Sequence, residues 1–255
     1  MATLSVVLIV KNEAEHLAAC LDTVSWADEI VVFDSGSTDE TLAIARRYTD
    51  KVFIDADWQG FGVQRLRAQQ QASAEWVLML DADERVTPAL QASIQQVLRE
   101  DDRNRVYDVP RLSWVFGRFI RHSGWYPDHV TRLYPRERAR YNEARVHEKL
   151  HYPPEMEKRA LHGDLIHYTY KDLNHYLVKS AHYAEAWAEQ RFERGLRSSL
   201  SQALLHGVAC FIKMYLVRAG FLDGRQGLLL ALLSAHSTFV KYADLWVRHQ
   251  QKSEH

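Results

Sequence analysis

The chain opens on Leu4-Ser-Val-Val-Leu-Ile-Val10, an almost unbroken apolar run, which reads as a strand covered on both faces. Behind it Leu17, Cys20, Leu21 and Val24 recur at helical spacing, with Asn12 placed to cap that helix. Glu29-Ile-Val-Val-Phe33 predicts a second buried strand. It breaks at Asp34-Ser-Gly-Ser-Thr-Asp39, where Ser37 and Glu40 have capping-box spacing for the next helix. Lys51-Val-Phe-Ile54 predicts a short third strand, and a loop with Trp58, Gly60 and Gly62 leads into a helix expected to end near Ala74. Trp76-Val-Leu-Met-Leu80 is a fourth strand, closed by Asp81-Ala-Asp-Glu84, after which Thr87 caps a helix with Pro88 at its first position.

Strands and helices in this alternation predict an α/β fold, a mostly parallel sheet with helices on both faces and right-handed crossovers. Such sheets bind ligands at the carboxyl ends of their strands. The polar clusters Asn12-Glu13, Asp34 to Asp39 and Asp81 to Glu84 fall there. From Arg105 to about Tyr170 the runs become short and aromatic: Tyr107 to Val109, Val130 to Tyr134, and Leu165 to Tyr168. They read as strands that complete the sheet or form a small ribbon. Beyond Lys171 the pattern is helical. The expected division is a catalytic domain over residues 1–170 and a helical C-terminal region over 171–255.

Bulk properties narrow the field. The 255 residues are 47% hydrophobic and 25% charged, an ordinary globular composition. A formal net charge of -1 gives no global basic field for nucleic acid. Cys20 and Cys210 form neither a disulfide framework nor a metal motif, and they fit a reducing cytoplasm. No signal peptide is read at the N-terminus, and no apolar run stands out as a membrane span.

Asp81 and Asp83, two residues apart at a strand end, can both turn toward one crevice. Hard carboxylate oxygens there suit Mg²⁺ or Mn²⁺ on a diphosphate, although the same pattern also occurs in solvated turns. Asp34 and Ser35 begin a turn that can meet a base edge or ribose hydroxyl, or simply cap a helix. Gln64, Arg65 and Arg67 add donors ahead of the fourth strand, and Arg suits phosphate. An exposed helix face would look the same.

Ser5 to Glu13, Ile30 to Thr41 and Trp76 to Glu84, in this order and spacing, resemble the family 2 inverting glycosyltransferases of nucleotide-diphospho-sugar transferase (GT-A-like) fold. The resemblance implies a UDP-sugar donor whose uracil or ribose meets Asp34, with Asp81 at the ribose or metal and Asp83 holding the metal. Gly60-Phe-Gly62 with Gln64, Gly124-Trp-Tyr-Pro-Asp128, Arg132-Leu-Tyr134, Val146-His-Glu148 and Val217 to Gly224 look like the branch of lipopolysaccharide core β-1,4-glucosyltransferases. That branch implies glucose transfer from UDP-glucose to a heptose on a lipid-linked acceptor. The branch often shows Lys-Asn after the Gln; Arg65-Leu66 here keeps the charge and loses the amide. An inverting transfer needs a base. Asp128, Glu143 and Glu148 are the candidates, and Glu148 is favoured because His147 beside it suits a metal or diphosphate.

Two other classes share parts of this pattern. A nucleotidyltransferase would carry a Gly-rich basic loop where Val10-Lys-Asn-Glu13 stands. A non-catalytic binding module would not require Asp34, Asp81 and Asp83 together. The C-terminal region mixes apolar residues from Leu204 to Phe221 with Lys213 and Arg218, and Arg191, Arg194, Arg197 and Arg225 lie nearby. That mix suits peripheral docking on the cytoplasmic face of the inner membrane. It equally suits helix-on-helix packing or a homo-oligomer.

Overall fold

The computed structural model describes residues 1–143 and 148–253. The chain divides into two compact units, Met1–Arg111 with Asp128–His167, and Leu112–Pro127 with Tyr168–His255. The second unit therefore includes an excursion, Leu112–Pro127, that a single cut at residue 170 does not carry.

In the first unit, β1 (Leu4–Val10), β2 (Glu29–Asp34), β3 (Val52–Ile54) and β4 (Trp76–Leu80) alternate with α1 (Leu17–Asp22), α2 (Thr41–Ala45) and α3 (Phe61–Gln70). After β4 come β5 (Glu84–Val86), α4 (Pro88–Glu100) and β6 (Arg105–Val115). The short β7 (Arg118–Phe119) lies in the excursion, and β8 (Asp128–Pro135), β9 (Arg140–Tyr141), β10 (Leu150–His151), β11 (Glu157–Ala160) and β12 (Leu165–His167) follow. The sheet order is β3-β2-β1-β4-β8-β6-β12-β5, with β11 beside β6 and a separate β9-β10 ribbon. β1 to β4 are parallel, and β8 joins β4 antiparallel.

The continuous apolar runs have a direct cause. Val6, Leu8, Leu78 and Leu80 face one core cluster together with Leu17, Leu21, Leu90 and Ile94 from the helices. Val7, Val31, Val77 and Met79 face the other, against Ala68 of α3. Alternate residues of each strand are buried on opposite sides, so no polar alternation survives. Burying each of these large side chains stabilises the fold by about 1.5–3 kcal/mol.

Two helix starts differ from expectation. Asn12 does not cap α1, which begins five residues later with His16 at its N-cap and no side-chain cap. Nor does Ser37 cap α2, whose N-cap is Glu40. Both side chains instead tie the β1 loop to the β2 loop. Thr87 does cap α4, accepting from the Leu90 N–H, with Pro88 at the first position.

The second unit holds α5 (Leu173–Glu193), α6 (Leu200–Ile212) and α7 (Gly224–Ser253), with a π-helical turn at Lys213–Val217 and a 3₁₀ turn at Gly220–Asp223. Ser199 and Gln202 close a reciprocal capping box on α6. Val115, Ile120, Tyr176 and Leu230 make this unit's core. Buried Asp223 accepts hydrogen bonds from the Arg121 and His122 N–H groups, which fixes the excursion inside the unit.

Candidate active site

The strand order runs from β1 outward in two directions, to β2 and β3 and to β4, and the crevice at such a reversal is where doubly wound sheets bind ligands. Asn12 and Glu13 leave β1 here, Asp34 ends β2, and Asp81 follows β4. Asn12 has a φ of 57°, a left-handed conformation that Asn tolerates. Its N–H donates to Ser37 Oγ (2.8 Å) and its Oδ1 accepts from the Thr38 N–H (2.8 Å). The Glu13 N–H donates to Thr41 Oγ1 at 2.7 Å. These bonds hold the two loops in one arrangement.

Asp34 is fully buried. Its Oδ1 accepts from the N–H groups of Gly36 (2.9 Å) and Ser37 (2.8 Å), whereas its Oδ2 is buried with no partner among the described residues. Gly36 has a φ of +88°, and a side chain there would press on Ala56 Cβ at 3.1 Å, so the turn requires glycine. An unsatisfied buried acceptor of this kind costs roughly 1–3 kcal/mol, which a ligand N–H or O–H would recover.

Ser35 and Gln64 sit just behind. The Gln64 amide donates to Ser35 Oγ (3.1 Å) and its Oε1 accepts from Arg67 (3.1 Å), so both are bound into the wall. Arg67 is paired with Asp55 (3.0 Å) and Asp57 (3.1 Å). Arg65 behaves differently. It is buried, its Nη2 donates to Asp81 Oδ1 at 2.7 Å, its Nε donates to Glu148 Oε1 at 3.1 Å, and its guanidinium lies 5.4 Å from the centre of the Tyr141 ring.

Asp81 is held from two sides, because Arg132 Nη2 donates to its Oδ2. Burial alone would raise the Asp81 carboxyl, but Arg132 and Arg65 outweigh it and hold the group far below the ordinary carboxylate range. Arg132 also donates to Oε1 of fully buried Glu84 at 3.0 Å, and Glu84 Oε2 accepts the Asp81 N–H at 2.9 Å. Asp83 has a different partner, with its Oδ2 3.3 Å from His167 Nε2. β12 pairs antiparallel with β5 and sets His167 opposite Glu84. Asp128 opens β8 and accepts from Arg111 Nε at 2.9 Å. His147 lies outside the described residues.

Arg132, Glu84, Arg111 and His167 were not singled out as site residues from sequence. For Arg132 a signal existed: a cation in the middle of the strand Val130 to Tyr134 must find a buried carboxylate.

Glu13 registers the electrostatics of the crevice. Burial, followed by the charges of Asp83 and Asp81, raises its carboxyl from 4.5 to about 7. A divalent cation bound beside these acids would offset the part of this shift that comes from their charge. Asp83 and His167 offer hard oxygen and imidazole nitrogen donors. Among the described residues no three His, Cys, Asp or Glu side chains form a ready metal cage. Magnesium is commonly held this openly, by one or two carboxylates with substrate phosphates. Asp83 could hold Mg²⁺ or Mn²⁺ through its oxygens, the imidazole of His167 would suit Mn²⁺, and Asp81 is engaged by two arginines.

Glu13→Gln is expected to raise the melting temperature at pH 8 and to change it little at pH 4. A raised acid pKa means the folded state binds the proton more tightly than the unfolded state. Wild-type stability is then lost as pH climbs between about 4.5 and about 7, and the glutamine removes that loss. A thermal melt series across pH checks it; an equal gain at both ends would refute the assignment.

A parallel sheet with acidic residues at its switch point, completed by an antiparallel strand that brings Arg132 to Asp81, has the architecture of the GT-A glycosyltransferases. The glycosyl transferase family 2 model matches residues 5–154, and the chain belongs to that family. It is 28% identical over 98% of its length to the lipopolysaccharide core biosynthesis glycosyltransferase LpsC of Rhizobium meliloti (strain 1021), covering 94% of that protein. It is 25% identical to the uncharacterized glycosyltransferase RP128 of Rickettsia prowazekii (strain Madrid E), over 96% of this chain and 87% of that one. Among solved structures, Staphylococcus aureus TarS is similar over 72% of this chain and 39% of its own, at 20% identity and a TM-score of 0.46.

Proposed function

We propose that the protein transfers glucose from UDP-glucose, with inversion, to a heptose hydroxyl of a lipopolysaccharide core, using Mg²⁺ or Mn²⁺. The observation that carries the donor assignment is the unpartnered, buried Asp34 Oδ2 at the end of β2. An imide N–H or ribose hydroxyl would satisfy it. The acceptor assignment rests on the similarity to LpsC along nearly the whole chain. The cation, when bound, offsets the charge that develops on the leaving diphosphate. The protein's own part is positional. Asn12 and Ser37 fix the nucleoside loops, Arg65 and Arg132 hold Asp81 ionised, and Glu148 stands ready to take the acceptor proton.

Asp34→Ala is expected to weaken UDP binding by about 10–100-fold, the equivalent of roughly 1.5–3 kcal/mol for one hydrogen bond to a charged acceptor. Calorimetry with UDP, set beside CDP and GDP, checks it. Unchanged UDP affinity in the variant removes Asp34 from the nucleoside site.

A lipid-linked acceptor calls for a membrane-facing surface, and α6 supports one. Leu200–Ile212 contains no charged residue, and Leu204, Leu205 and Val208 are 61%, 68% and 50% exposed. Packing onto α7 accounts for only part of the helix: Gly207 approaches Phe239 and Ala235, and His206 stacks on Tyr242 at 4.0 Å. The segment Leu200–Val217 is long and apolar enough to cross a membrane, with mean hydropathy 1.4 and 17% of it buried. That length was not evident in the sequence, where the helix and the π turn do not read as one element. Arg191, Arg194 and Arg197 precede the helix, and Lys213 and Arg218 follow it. The exposed apolar face of this helix, with cations at both ends, supports docking on an anionic lipid surface. Co-sedimentation with phosphatidylglycerol vesicles at low salt is expected, falling at high salt, with phosphatidylcholine vesicles left unbound. Failure of the folded protein to bind anionic vesicles at low salt would eliminate this surface.

A further inference from the structure

Beside Asp81 a cavity of about 430 Å³ opens between α3, β8 and the β9-β10 ribbon. Among the described residues four cationic side chains line it, Arg65, Arg111, Arg132 and Lys149, against the carboxylates of Asp81 and Glu148. Two of these cations are incompletely satisfied. Arg65 Nη1 and Arg132 Nε are buried N–H groups that find no acceptor among the described residues. Charged donors are costly to strand, and both belong to side chains that form the cavity wall. Asp34, Ser35 and Gln64, where the nucleoside is assigned, do not line it. The cavity also contains Glu148, the favoured base, so its occupant stands next to the group that would take the acceptor proton.

We propose that this cavity is an acceptor subsite that recognises an anionic group, a phosphate ester or comparable oxyanion carried by the acceptor saccharide. The inference rests on the UDP-sugar reading, which puts the donor's nucleoside at Asp34. Forked guanidiniums are matched to phosphate oxygens, and Lys149 adds a mobile point charge at the rim. A neutral sugar offers these guanidiniums only hydroxyl acceptors, without the charge-assisted, two-pronged pairing of an oxyanion, so the subsite should discriminate by charge more than by sugar shape.

The donor's diphosphate and the acceptor's anion share this chemistry, and the test separates them. Protein saturated with UDP and Mg²⁺ is titrated with inorganic phosphate, glucose 6-phosphate and glucose. The two phosphates are expected to bind to the UDP-loaded protein and glucose is not. Lys149→Gln is expected to weaken phosphate binding about tenfold with UDP affinity unchanged, and Lys149→Arg to preserve it. Arg111→Gln, checked for folding by a thermal melt, is expected to behave as Lys149→Gln. If UDP displaces the phosphates competitively, the cations serve the donor and the acceptor subsite is overturned. Absence of phosphate binding in either state overturns it as well. If the phosphates bind but UDP does not, the donor reading fails and the anion cavity stands.

Discussion

Asp83→Asn is expected to lower turnover by roughly a thousandfold, with the protein folded and its melting temperature little changed. Among the described residues Asp83 is the acid of its pair that no arginine claims, and His167 faces it at 3.3 Å. Asp81 is already committed to Arg65 and Arg132. A cation that offsets diphosphate charge supplies several kcal/mol of transition-state stabilisation, and about 1.4 kcal/mol corresponds to each factor of ten. The asparagine keeps the shape of the side chain and removes the charge. Titrating Mn²⁺ against wild type and variant, by calorimetry as well as by rate, checks the assignment. Full turnover of the wild type in excess chelator would sink the metal role. An intact Asp83→Asn rate with metal still required would move the ligand set to Asp81. Asp81→Asn has a different expected signature: it unpairs two buried guanidiniums, so it should also lower the melting temperature.

The contrast between these acids was not legible in the sequence, where Asp81 and Asp83 look equivalent. What separates them arrives from far along the chain. Arg132 comes from β8, 51 residues after Asp81, and His167 from β12, beyond the excursion that the chain makes at Leu112–Pro127. By comparison, β1, β2 and β4 were legible to within a residue, because burial on both faces writes itself into a continuous apolar run. The same local logic misplaced the starts of α1 and α2. Asn12 and Ser37 have the chemistry of caps, but their hydrogen bonds go to each other's loops 25 and 26 positions away. Local spacing cannot tell a cap from a loop tie when both need the same short polar side chain. Gln64 illustrates a related limit. As a polar donor ahead of β4 it suggests a ligand contact, and the structure seats it in the wall against Ser35.

Glu148→Gln is expected to reduce turnover by about 10²–10⁴-fold while leaving UDP affinity within a factor of two, the pattern of a lost general base. The geometry favours Glu148 over Asp128 on position. Glu148 lines the cavity beside Asp81, and Asp128 is not among the described residues that do. Glu148 accepts one hydrogen bond from Arg65 Nε at 3.1 Å, whereas Asp128 accepts from both Nε and Nη2 of Arg111. Both Arg111 bonds end on Asp128 Oδ2, so it is the place of Glu148 in the cavity beside Asp81 that favours it as the base. The Arg65 contact also sets the orientation of Glu148 relative to Asp81, since the same guanidinium donates to both. Arg65→Lys should therefore lower turnover with a smaller effect than Glu148→Gln, because one ammonium cannot reproduce the fork. The decisive comparison is single-turnover transfer in Glu148→Gln and Asp128→Asn, with UDP binding measured on both. Loss of the chemical step in Asp128→Asn and its retention in Glu148→Gln would assign the base to Asp128. It would leave Glu148 as the partner that keeps Arg65 in place.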